Sequence, residues 1–209
     1  MIIKKFTLSF LLLIFMNFSA SALELKIPKI GGKKADISGA KLNFTKIFFD
    51  SSINYMEAQF HLFNALEMND EASKTKKSIA FVKDTKNKEG KRLTNAFKTS
   101  SENSKAIEGA LGKEKGLSAE GKVHYAKALP FAVKGLIGMV QLPPEANSLL
   151  TTIKSDKMAA LKMGDFLKVL PKIPEYVSSA TKVGNLIVTG AKSREVKGAD
   201  DATKALGDL

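Results

Sequence analysis

The sequence predicts an all-α protein, a bundle of about five to seven amphipathic helices behind a cleaved signal peptide and an irregular N-terminal arm. Three observations predict it. Apolar residues recur at spacings of three, four and seven along most of the chain, Gly or Pro breaks separate the periodic runs, and strand-like alternation is nearly absent. The 209 residues suit one domain with a core of its own, and 44% apolar with 26% charged residues is the balance of a folded chain.

Lys4 and Lys5 precede an apolar run from Phe6 to Phe18, and small residues follow from Ser19 to Ala22. A run that short falls below the ~20 residues a spanning helix needs, so residues 1–22 read as a secretory signal peptide cleaved after Ala20-Ser21-Ala22. No transmembrane span is expected after cleavage, and the expected location is periplasmic or secreted. Residues 23–43 carry Pro28 and the pair Gly31-Gly32, which predict an extended arm.

The helical domain is expected over 44–197. From Phe44 to Met68, one stripe runs through Phe44, Ile47, Phe48, Tyr55, Ala58, Leu62 and Ala65, and a second through Phe49, Ile53, Met56, Phe60 and Phe63. A helix apolar around most of its circumference belongs at the centre, so Phe48, Tyr55, Phe60 and Leu62 are expected inside. Asn69-Asp70 supplies a stop and a cap for a more polar helix reaching about Lys88, with Gly90 ending it. Leu93, Ala96, Phe97, Ser100, Ser104, Ile107 and Leu111 mark the next helix, closed by a loop at Gly109, Gly112 and Gly116.

Ser118 is placed to cap a helix that Pro130 kinks or restarts, and Leu129 to Leu142 reads as a buried hairpin arm. Pro143-Pro144-Glu145 opens a long helix from Ala146 to Leu170, stopped by Pro171 and Pro174. Tyr176 to Val196 is the last helix, with Ser179, Ala180, Gly184 and Ala191 small enough for close packing. Residues 198–209 hold Asp200, Asp201 and Asp208 and read as a flexible acidic tail.

The formal charge is +12, and loss of Lys4 and Lys5 with the signal peptide leaves +10. Thirteen basic and six acidic residues fall between Lys74 and Lys122, a block of +7, whereas Ile47 to Ser73 holds five acids and no base. Arg92 and Arg194 are the only arginines. Lysine is a hydrated point charge without the planar fork of arginine, so the composition favours diffuse attraction to anionic surfaces. Export argues against nucleic acid as the partner. Anionic lipid, lipopolysaccharide, a cell-wall polymer or an acidic or hydrophobic protein surface is expected instead.

The absence of Cys removes thiol nucleophiles, disulfide frameworks, zinc ribbons and iron-sulfur clusters, and His61 and His124 are the only imidazoles. No nucleophile elbow or phosphate loop occurs, so no catalytic, cofactor-binding or metal-ligating residue is assigned. The one patterned constellation is Glu57-x-x-x-His61 with Glu120-x-x-x-His124, each pair on one helix face. Carboxylate-bridged metal centres of bundles use Glu-x-x-His instead, so these read as ordinary helix-face pairs worth roughly tenths of a kcal/mol. The expected function is non-enzymatic binding of a hydrophobic or anionic envelope component. A structural or assembly protein acting through helix-helix oligomerisation or a protein partner is the alternative, and an enzyme with an unrecognised site the third.

Overall fold

The structure, a computed structural model, describes residues 36–112, 116–155, 160, 161 and 163–207. The expected signal peptide and residues 23–35 of the arm lie outside them. The elements are α1 (Ile37–Ala65), α2 (Asn69–Lys83), α3 (Glu89–Leu111), α4 (Ala119–Met139), α5 (Leu142–Ser155), α6 (Gly164–Val169), a 3₁₀ turn (Leu170–Lys172), α7 (Ile173–Ser193) and α8 (Ala199–Gly207). Among the described residues there is no strand, and six of the helices have 14 residues or more.

Helix α1 is the axis of the bundle. Its 29 residues pack against α2, α3, α4 and α5, which its two apolar stripes require. Phe48, Tyr55 and Leu62 are fully buried, but Phe60 is only partly so, its ring lying against His61 at the edge. The N-terminal half of α1 supplies Phe44 and Phe48 to an apolar cluster shared with α5, α6 and α7, while its C-terminal half gives Leu62 and Phe63 to a second with Tyr125 of α4 and Ile187 of α7.

Several boundaries differ from the sequence reading for local reasons. Residues 37–43 of the expected arm are the first turns of α1, nucleated by Asp36, whose Oδ1 accepts from the Gly39 amide at 2.9 Å. Asn69 does not cap α2. Instead α1 ends in a Schellman motif, with Glu67 left-handed at φ 60° and the Met68 amide donating to Phe63 at 2.8 Å, so helix resumes at once. Helix α2 stops at Lys83 rather than Lys88, because the Asp84 carboxylate takes the Lys86 amide in a local turn; Gly90 lies inside α3.

Further on, Ser118 caps α4 as expected, its Oγ accepting from the Gly121 amide at 3.0 Å, but the helix runs through Pro130 without restarting. The expected single helix from Ala146 to Leu170 is broken at Met163, which is not helical; α5 is described to Ser155, Ala160 and Leu161 are helical, and the short α6 follows Met163. The tail is also corrected: Ala199–Gly207 is helical, with Ala199 and Ala202 buried against α4 and α7.

Glycines decide how closely the axis is gripped. Gly135 of α4 lies where a Cβ would come within 2.8 Å of the Tyr55 backbone nitrogen, and a Cβ on Gly138 would meet that of Ser51 at 2.7 Å. The Gly135-x-x-Gly138 motif thus serves packing inside the bundle. Among the described residues no helix is long and apolar enough to cross a membrane.

Candidate functional site

A polar seam runs through the core where α1, α2, α3 and α7 meet. Ser52, Tyr55, Gln59, Thr75, Ser100, Asn103 and Ser104 are all buried, and so is Tyr176. Proton accounting fixes the direction of its bonds. Ser104 donates to the Ser100 carbonyl at 2.9 Å, so the Tyr55 hydroxyl at 3.0 Å and the Gln59 amide at 3.1 Å donate to Ser104. Ser100 likewise donates to the Ala96 carbonyl at 2.7 Å, so Tyr176 donates to Ser100 at 2.7 Å and Ser52 donates to Tyr176.

Asn103 completes the seam by donating to Gln59 Oε1 at 3.0 Å and to Thr75 at 2.9 Å. Burial pushes the Tyr55 phenol up, and pushes that of Tyr176 to about 12 in spite of its serine partners, so both keep the protons these bonds use. A seam so fully satisfied fixes the register of α1 against α3. The sequence reading missed it, although Ser52, Tyr55 and Gln59 share helical spacing with the apolar stripe.

The two histidines, assigned no common site from the sequence, are brought together. Their ring centroids are 6.0 Å apart across the α1–α4 seam, and His61 stacks on Phe131 at 5.7 Å. Their glutamates do not join them in a metal centre: Glu57 pairs with Lys83 at 2.7 Å, and among the described residues no group of three or more His, Asp or Glu is placed to hold a metal ion. Both Nδ1 atoms are buried without a hydrogen-bond partner. Burial first, and then His124 and Lys127, hold the His61 imidazole below its usual range against the opposing field of Glu57.

The native state therefore binds fewer protons at His61 than the unfolded chain. The stabilisation is complete above the ordinary histidine pKa of about 6.5 and is lost as pH falls through it toward the lower folded value. Thermal melts at about pH 8 and about pH 5 should show a smaller acid loss for His61→Gln than for wild type. Equal losses would refute a role for this imidazole.

The charged surface is organised by α3. Lys91, Lys98 and Lys105 recur every seventh residue and are all exposed, forming a row opposite the buried face of Leu93, Ala96, Ser100 and Ile107. Successive members stand about 10 Å apart along the axis. On α2, Lys74, Lys76 and Lys77 are exposed as well. The row leads to a cavity of about 510 Å³ between the end of α1, α3 and the start of α4, with Leu66, Met68, Ala106, Ala110 and Leu117 as apolar walls and Lys105 at its lining. The +7 block of the sequence contained these lysines, but not their alignment.

No family model, curated protein or solved structure matches the chain in comparisons with known proteins.

Proposed function

We propose that the protein is exported and binds an anionic amphiphile of the cell envelope without catalysis. The observation that carries this reading is the lysine row Lys91, Lys98 and Lys105 ending at an apolar-walled cavity, because it offers charge to a headgroup beside surface for a chain. The cavity lies within the ~300–1,000 Å³ typical of small-ligand sites. Lys91 and Lys105 make no ion pair among the described residues, and Lys98 reaches Glu102 only at 3.9 Å, so these charges face outward rather than stapling the fold.

Each lysine near an anionic bilayer contributes up to ~1 kcal/mol, within a Debye length of about 8 Å at physiological salt. Binding to vesicles containing phosphatidylglycerol should therefore be strong at low salt and weak at high salt, with a residue that survives high salt if the cavity takes apolar chain. Co-sedimentation measures both. No binding to anionic vesicles at low salt rejects the reading, and a mass rising with concentration in light scattering would then favour assembly.

A further inference from the structure

We infer that the cleft between α3 and α7 binds the phosphate of a phosphorylated polyol, the headgroup chemistry of the amphiphile proposed above. The inference rests on that reading for the source of the group. The cleft holds about 260 Å³. At ~30 Å³ per water, that is room for a phosphate with a short polyol and too little for an acyl chain as well.

Its polar lining is exposed or half-buried. Lys105 enters from α3 and Lys172 from the turn before α7, with the hydroxyls of Ser101 and Ser179 and the carboxylate of Glu175. Among the described residues, none of these five side chains makes a hydrogen bond or an ion pair, not even Lys172 with Glu175 beside it. Other groups of α3 are engaged: Glu108 binds Lys182 at 2.5 Å, Glu89 binds Lys41, and the inner Ser100 and Ser104 bond to backbone carbonyls. Two lysines, two serines and a glutamate around one cleft can therefore turn to a ligand without breaking an internal bond.

The chemistry selects the ligand. Two ammonium groups and two hydroxyls are donors for phosphate oxygens, while Glu175 is acceptor-only and repels a bare anion unless the ligand brings hydroxyl donors of its own. The three charges sum to +1, opposite in sign to a phosphate group. The rings of Phe97 and Tyr176, 5.1 Å apart, form the apolar lining, because the Tyr176 hydroxyl is committed inward to Ser100. Such a surface suits the C–H face of a polyol. Lys105 belongs also to the row on α3, so a surface-attracted headgroup is delivered to the cleft.

Glycerol 3-phosphate and inorganic phosphate titrated calorimetrically, and vesicles of phosphatidylcholine with phosphatidylglycerol, separate a soluble from a lipid source. The purified full chain should bind glycerol 3-phosphate more tightly than inorganic phosphate, and glycerol 3-phosphate should compete against the vesicles. Lys105→Gln/Lys172→Gln should lose about tenfold or more in glycerol 3-phosphate affinity, two charge-assisted contacts being removed. Lys91→Gln/Lys98→Gln removes the same charge outside the cleft and should leave that affinity unchanged while weakening vesicle binding; unchanged melting of both variants shows that the fold is retained.

Equal losses in the two variants, or no glycerol 3-phosphate binding by wild type, overturn the cleft even if the vesicles still bind. Binding of glycerol 3-phosphate without any vesicle binding keeps the cleft and its chemistry, assigns it a soluble source, and overturns the amphiphile reading instead.

Discussion

Phe48→Ala is expected to lower the unfolding free energy by about 3–5 kcal/mol, the range for an aromatic deleted from a closed core. Phe48 is fully buried at the hub of an aromatic cluster, with Phe44 at 5.7 Å, Phe49 at 5.7 Å and Tyr176 at 6.2 Å between ring centroids. Phe44 reaches on to Phe166 of α6 at 6.3 Å. The void left by the ring would be walled by helices already pinned by the polar seam, because Tyr176 is held at Ser100 and cannot swing in to fill it. Chemical denaturation measures the loss. Phe60→Ala is the internal comparison: Phe60 is only partly buried, so its deletion should cost clearly less, and equal costs would contradict the central packing of Phe48.

Gly135→Ala should destabilise, and Gly109→Ala should not, although both lie within helices. Alanine in a helix interior is favoured over glycine by about 1 kcal/mol. At Gly109 a new Cβ meets nothing within 4 Å, so part of that gain should appear as a raised melting temperature. At Gly135 the Cβ would lie 2.8 Å from the Tyr55 nitrogen and 3.0 Å from its Cα, and backbone cannot rotate aside as a side chain can. Helix α1 or α4 must move, disturbing the Tyr55 bond to Ser104, and overpacking of this kind costs about 1–3 kcal/mol beyond the propensity gain. Gly135→Leu should prevent the packing outright. Circular dichroism melts of the Ala variants decide the matter, and a stabilised Gly135→Ala would show that the α1–α4 approach is not set by this residue.

The sequence by itself determined the helical class, because the spacing of Phe44, Phe48, Tyr55 and Leu62 is a local property that only one backbone period can place on one face. It also marked the cap at Ser118, where side chain and amide are three residues apart. The boundaries at Asp36, Glu67 and Asp84 escaped it. There a short polar side chain or a left-handed residue competes with the helix, and neighbouring packing decides the winner.

What only the tertiary structure decided is which residues meet. Ser52, Gln59, Asn103 and Tyr176 are unremarkable polar residues until helices far apart in the chain bring their donors and acceptors into register, the Tyr176 and Ser52 pair spanning 124 positions. His61 and His124 face each other because Gly135 and Gly138 let α4 lie close on α1. Lys105 and Lys172 share a cleft for the same kind of reason, since α7 returns along α3. Periodicity fixes the face on which a residue lies. It carries no information about the partner across that face, which follows from the packing of the whole bundle.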